Sequence, residues 1–258
     1  MRINLFYFVL PIALISSCMF TDSQALQNSD SVSSSKVTRQ SYIRDSACTV
    51  DSLGIVFYIP ENCIAEITNM RPLKSDSSIV LVCAAAFTRL ENDAIDGLYV
   101  IRGNVMNRKV NRGLGGGITI PSSGDVSSCI IAGTEMGSKL DSAFIEKIIS
   151  DSVSFFQQIQ LNRDGLPLVF RKDVSLFQRR AICILHGQAV IAESRNVCTL
   201  QQFADALDAA GVDNSIYLDM GSWDEGWFRR KNNEIQTIGL IRTATKRQSN
   251  WLVYRSKS

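Results

Sequence analysis

Ser215, Ile216, Tyr217, Leu218, Asp219, Met220, Gly221, Ser222 and Trp223 run from a segment suited to a buried strand into an aspartate. A loop follows, carrying Asp224, Glu225, Gly226, Trp227, Phe228 and Arg229. A strand fixes the backbone beneath its last side chain while the following loop shapes a pocket around it, so Asp219 stands where chemistry is well served. The competing reading is that its carboxylate satisfies backbone N–H groups of the turn. The residues alone leave both open.

Upstream, the signals for a hairpin, a helix and this strand follow one another. Ala181, Ile182, Cys183, Ile184 and Leu185 predict one strand, His186 and Gly187 a turn, and Gln188, Ala189, Val190, Ile191 and Ala192 its partner. In that turn His186 has an exposed, structural role. Thr199 and Gln202 have the spacing of a capping box, Leu200, Phe203, Ala204, Leu207 and Ala210 share one helical side, and Gly211 is the stop. If these strands neighbour one another in a sheet, Arg180 at the head of the hairpin comes within range of Asp219, as a structural salt bridge or as part of a site.

Further strands are expected over residues 54–60, 78–87, 98–102, 154–161, 166–170, 238–243 and 250–254. Alternation in the stretch 154–161 turns either Gln157 or Gln158 inward, and the small residues near position 86 make Ala86 and Phe87 candidates for a pocket wall. A helix capped by Ser138 should run to about residue 150, with Asp141 in its first turn. The glycine-rich stretch 111–117 lacks the Lys and Ser/Thr that end a phosphate-binding P-loop, and Ile118, Thr119 and Ile120 after it favour a strand, so a tight loop is the better reading. The expected fold class is α+β: one domain over residues 41–258, a mixed, curved β-sheet with two principal helices packed on it.

Composition narrows the function classes. The chain has 258 residues, 45% of them hydrophobic, with 27 basic and 25 acidic residues. The charges are interspersed, which argues against nucleic acid as a partner. Arg2 precedes an apolar run over residues 5–15 that is short for a membrane span, and Ile15, Ser16, Ser17 and Cys18 are similar to a bacterial lipobox. The expectation is a signal peptide over residues 1–18, lipidation at Cys18, and a Ser-, Asp-, Gln- and Asn-rich tether over residues 19–40. The protein would then be exported and lipid-anchored to the cell envelope, on the periplasmic or surface side of the outer membrane.

Setting Cys18 aside, six cysteines remain, with Cys48 and Cys63 the expected bridge and Cys83 and Cys183 small buried hydrophobes. One histidine and no closely spaced ligand set supply neither a metal centre nor a Ser, His, Asp triad, and no cofactor is expected.

The order Arg180, Ala181, Ile182, Cys183, then Ile191, Ala192, Glu193, Ser194, then Tyr217, Leu218, Asp219, Met220, Gly221, Ser222 resembles the phosphodiester glycosidase family, the uncovering-enzyme-like group. Trp227, Arg229 and the closing Ser249, Asn250, Trp251 resemble its exported Bacteroides-type branch. The resemblance runs over residues 81–254 and departs in two places. Ala84, Ala85, Ala86, Phe87 stand where the family has an Asn, Gly, Gly, Phe, Phe-like motif, and Asp219, Met220, Gly221 where it has an Asp, Gly, Gly, Gly-like run.

The resemblance implies a hydrolase that cleaves a sugar from a glycosyl phosphodiester, a carbohydrate substrate joined through its anomeric carbon to phosphate. Such a bond already has a good leaving group, so the reaction asks for a cation on the phosphate and a carboxylate at the sugar. The implied roles are Arg180 as phosphate clamp, Asp219 as the catalytic carboxylate and Glu193 as a second acid. Gln158, Gly221, Ser222, Trp227, Arg229 and Asn250 would hold substrate, with Trp223 or Trp227 stacking on the ring. The loss of the asparagine at Ala84, Ala85 and Ala86 keeps two alternatives in view: a carbohydrate- or envelope-binding lipoprotein without turnover, and a structural envelope protein.

Overall fold

The computed structural model describes residues 40–257 apart from 51, 135, 136 and 138. The expected signal peptide, Cys18 and nearly all of the tether lie outside the described residues, as does Ser138.

The chain enters through β1 (Tyr42–Val50) and β2 (Leu53–Glu61), a hairpin in register from Tyr42 opposite Glu61 to Val50 opposite Leu53. It continues through β3 (Cys63–Thr68), β4 (Ile79–Ala84), β5 (Tyr99–Ile101), β6 (Asn104–Asn107), β7 (Gly116–Ile120) and β8 (Ile130–Gly133) to helix α1 (Ser142–Ser150). Then come β9 (Ser154–Gln158), β10 (Gln160–Arg163), β11 (Leu166–Pro167), β12 (Arg180–Leu185), β13 (Gln188–Ser194) and helix α2 (Leu200–Ala209). β14 (Val212–Tyr217), β15 (Gly226–Arg229), β16 (Ile235–Ile238) and β17 (Trp251–Ser256) complete the described elements.

The α+β class with two principal helices is what the structure shows, but the strands are shared among three sheets rather than one. Their orders are β1-β2-β13-β12-β14-β10-β11, β16-β15-β4-β17-β3 and β6-β5-β9-β7-β8. Neighbouring strands pair antiparallel. One apolar core joins all three, with Tyr58, Ile182 and Ile216 from the first, Leu81, Phe228, Leu252 and Tyr254 from the second, and Tyr99, Ile118 and Phe156 from the third. The helices cover outer faces. Phe203, Ala204 and Leu207 of α2 pack on Ala181, Cys183, Val190 and Ala192, and Ile145 and Ile148 of α1 pack near Leu98, Val100 and Phe155.

Local signals explain several elements. His186 (φ 50) and Gly187 (φ 74) make the two-residue, left-handed turn that suits the twist of β12 and β13, and His186 is exposed there. The Thr199 and Gln202 capping box is fully formed, and Gly211 (φ 83) ends α2. Helix α1 is capped by Asp141, whose carboxylate accepts from Phe144 N, so it starts later than expected.

Other expectations are corrected. The single strand expected over residues 154–161 is two strands in different sheets, broken at Ile159, whose N–H is taken by the Gln158 side chain at 2.8 Å. Residues 239–243 form a loop after β16 rather than a strand, beginning at Gly239 (φ 71). Gly116 and Gly117 lie inside β7, where a Cβ would collide with Ile216 or Phe155, so the glycines serve sheet packing.

The expected Cys48 to Cys63 bridge is absent, and the register shows why. Cys48 lies opposite Ile55, whereas the Cys63 thiol donates to Tyr42 O at the other end of β1, roughly 20 Å away at about 3.3 Å per residue. All six described cysteines are free. Burial pushes the Cys83 thiol up to about 12, so it sits as an uncharged apolar filler.

Candidate active site

Asp219 lies two residues past the end of β14. Leu218 N–H donates to Arg180 O (2.9 Å) and Asp219 N–H to Ala85 O (3.1 Å), which suspends this turn between β12 and the end of β4. The Asp219 carboxylate accepts three hydrogen bonds of 3.0 Å each, from Thr88 N and Trp223 Nε1 on Oδ2 and from Gly221 N on Oδ1. Burial raises its pKa above the ordinary carboxylate value. The bonds from Trp223, Thr88 and Gly221 oppose that, and the charge of Asp224 adds to the rise. The carboxylate therefore ties the turn, as the plainer reading of the sequence had it, and also faces a cavity.

That cavity has a volume of about 420 Å³. Asp219, Gly221, Ser222, Tyr217, Arg179 and Arg242 supply its polar wall, and Phe87, Ile159, Phe177, Leu200 and Met220 its apolar one. Arg242 is half-buried, and its Nε is buried without a hydrogen-bond partner. Arg179 is fixed by donating from Nε to Cys198 O (3.1 Å) and from Nη2 to Asp173 Oδ2 (3.1 Å) and Ser175 O (2.7 Å). Two guanidiniums and one carboxyl thus share a hollow with room for a small polar molecule.

Arg180 is not part of it. Ala181 lies opposite Tyr217 in the β12 and β14 register, and side chains alternate along a strand. Arg179 and Ala181 therefore share the face of Tyr217 and Asp219, while Arg180 points with Ile182 and Leu218 into the core. There it is completely buried. Its Nε and Nη2 lie 2.7 Å from Glu193 Oε2 and its Nη1 2.8 Å from Asp224 Oδ1. Burial pulls the pKa of this guanidinium down, but Asp224 and Glu193 outweigh it and hold the group well above its ordinary value.

Glu193 stands directly opposite Arg180 in register and takes Gly239 N (2.9 Å) and Gln178 Nε2 (3.2 Å) on its other oxygen. A Cβ on Gly239 would come within 2.6 Å of Arg180 Nη2, so glycine lets the loop close over the ion pair. The single site implied for Arg180, Glu193 and Asp219 is thus replaced by two separate arrangements: a buried Glu193, Arg180, Asp224 triad, and an open pocket built on Asp219.

Of the other expected residues, Gly221 and Ser222 line the pocket. Gln158 is buried in β9, its Oε1 accepting from Ile159 N and its Nε2 without a hydrogen-bond partner. Trp227 packs with Ile79, Val82, Trp251 and Val253, which leaves no face for a sugar. Arg229 donates to Ile79 O (3.1 Å) and Lys74 O (2.8 Å), a clamp on the backbone, and does not line the Asp219 pocket. Asn250 grips the Ala86 backbone from both sides, accepting from its N–H (2.7 Å) and donating to its carbonyl (3.0 Å). It positions residues 84–87, of which Phe87 lines the pocket and Ala86 does not. Trp223 spends its indole N–H on Asp219 and carries the Arg247 guanidinium 5.3 Å above its ring.

Arg179, Tyr217 and Arg242 are pocket residues that sequence reasoning passed over. Strand alternation could have found Arg179, since it is two residues before Ala181 and on the Asp219 face. Arg242 carries no such signal, lying in a loop in the space between β16 and β17.

No family model matches the chain, and no curated protein does. Among solved structures, the fold is similar to the catalytic domain of a zebrafish N-acetylglucosamine-1-phosphodiester alpha-N-acetylglucosaminidase, auto-inhibited by its pro-peptide. The TM-score is 0.56 and the identity 13%, over 86% of this chain and 85% of that one. A hypothetical protein from Synechocystis is similar at a TM-score of 0.51 and 11% identity, over 82% of this chain and 61% of that one. The chain therefore has a fold like that of a phosphodiester glycosidase domain.

Proposed function

We propose that this chain is a hydrolase that cleaves a sugar from a glycosyl phosphodiester, with the Asp219 pocket as its active site. The observation that carries the reading is the meeting of Asp219, Arg179 and Arg242 at one cavity, with a buried Arg242 Nε that no protein group satisfies. An unpartnered guanidinium N–H in a pocket is well matched to a phosphate oxygen. The zebrafish domain with the similar fold is named for a sugar phosphodiester, which supports the same substrate class.

In this reading Arg179 and Arg242 take the phosphate, the task first expected of Arg180. Asp219, ionised, accepts a proton from water as the water oxygen bonds to the anomeric carbon. The bond from that carbon to the phosphate oxygen breaks, and its electron pair leaves with the phosphate as a monoester. The guanidiniums stabilise the charge that develops on the leaving oxygen. Ser222 and the Gly221 backbone border the space left for sugar hydroxyls. The export signal, the lipobox at Cys18 and the tether are consistent with work at the cell envelope, on a carbohydrate rather than on nucleic acid. The likeness of the later segments to a Bacteroides-type branch rests on sequence alone.

The Ala84, Ala85, Ala86 segment supports a second reading, a pocket that binds a sugar phosphate without turning it over. Incubating the full chain with a panel of sugar 1-phosphodiesters separates the two. Release of free sugar that Asp219→Asn abolishes supports hydrolysis. Binding without release supports the second reading, and neither binding nor release removes the pocket from consideration as an active site.

A further inference from the structure

Two loops border the Asp219 pocket, and each carries exposed apolar side chains. Gln178 Nε2 and Gly239 N donate to the same oxygen of Glu193, at 3.2 and 2.9 Å, which draws the segment before β12 and the segment after β16 together. Their neighbours Val174 (82% exposed), Leu176, Phe177, Leu240 and Ile241 (88% exposed) stand out in solvent. Isolated exposed hydrophobics need no explanation, but five on two adjoining loops beside one pocket do. The same loops carry the pocket cations: Arg179 ends the first, and Arg242 follows Ile241 in the second.

Charge and apolar surface thus adjoin along both loops: Arg179 and Arg242 line the pocket, Phe177 lines it beside them, and exposed apolar side chains precede each arginine in sequence. A ligand complementary to that arrangement is an anionic amphiphile whose phosphate enters and whose hydrocarbon chain stays at the rim. We propose that the substrate phosphodiester carries an acyl or prenyl chain on the side of the phosphate away from the sugar, and that Val174, Leu176, Phe177, Leu240 and Ile241 receive it. This rests on the reading of Arg179 and Arg242 as phosphate ligands. A purely polar leaving group would leave the rim without a contact, whereas a hydrocarbon chain removes apolar area from water on both sides.

The test is the binding of inorganic phosphate and of butyl, octyl and dodecyl phosphate, each below its micelle concentration, to the full chain by calorimetry. The same titrations are run on Val174→Asp/Ile241→Asp, on the milder Val174→Ser/Ile241→Ser and on Arg242→Gln. The expected result is about two- to fourfold tighter binding per added methylene until the rim is covered. In both rim variants that gain should flatten, while the affinity for inorganic phosphate is unchanged in the uncharged serine variant. Alkyl phosphates that bind no tighter than phosphate, or rim variants that keep the full gain, overturn the amphiphile inference and leave the anion pocket standing. A chain-length gain that survives Arg242→Gln undiminished, with no phosphate binding in any form of the protein, instead contradicts the assignment of the phosphate ligands.

Discussion

Replacing Arg180 with methionine separates a structural ion pair from a substrate clamp. The change leaves Glu193 and Asp224, 5% and 2% exposed, facing each other across the site of the lost guanidinium. Glu193 keeps its bonds from Gly239 N and Gln178 Nε2, but Asp224 loses the one partner its carboxylate has, since Asp224 Oδ2 already lacks one. Removing one member of a buried ion cluster costs about 3–5 kcal/mol, because the remaining charges must stay dehydrated or take up protons. In a domain of this size that is a fall in Tm on the order of 10 °C. The expected companion result is that Arg180→Met/Glu193→Gln/Asp224→Asn recovers much of the loss, since no bare charge is then left inside. Urea unfolding gives the stabilities, and phosphate binding measured on the folded fraction gives the site. An Arg180→Met protein of wild-type stability that no longer binds phosphate would refute the separation of the buried triad from the pocket.

The acidity of Asp219 makes a second prediction. Burial raises its pKa, so between its ordinary and its folded value the native state holds a proton that the unfolded state has released. Stability should therefore fall as pH rises through that window, and Asp219→Asn should remove this slope in urea melts taken across it. The acid limb of the activity profile should likewise be displaced upward, since the reaction uses the ionised form. Arg242→Gln should weaken phosphate binding at least about tenfold with a change in stability under about 1 kcal/mol, because the side chain is half-buried and its Nε has no internal partner. Asn250→Ala should cost about 1–3 kcal/mol by freeing both polar groups of Ala86, and should lower turnover through the displaced Thr88 N–H that bonds Asp219. Gly117→Ala should destabilise by about 1–3 kcal/mol through its collision with the Phe155 ring, read in a thermal melt.

Much of the unit around α2 could be read from residues whose signals are local. The Thr199 and Gln202 box, the His186 and Gly187 turn and the Gly211 stop each depend on a few neighbouring atoms. β1 carried little signal because most of its side chains face solvent and its pairing with β2 is made by the backbone. The division into three sheets was illegible at Ile159, where one side-chain hydrogen bond redirects a run that reads as continuous strand.

Asp219 was legible as a residue at a strand end, but its partner was misplaced by one position. Arg179 and Arg180 are chemically the same, and only the register of Ala181 against Tyr217 decides which one faces the pocket. Trp227, Arg229 and Asn250 were expected at the substrate. Their partners in the fold are other core side chains and backbone carbonyls many residues distant, which no local pattern encodes.

Crystals of the full chain soaked with a sugar 1-phosphate test the central claim most directly. The account predicts phosphate oxygens within hydrogen-bond distance of Arg242 Nε and the Arg179 guanidinium, with the anomeric carbon turned toward Asp219. A sugar phosphate bound elsewhere, or one that reaches Arg180 by opening the buried triad, would contradict it.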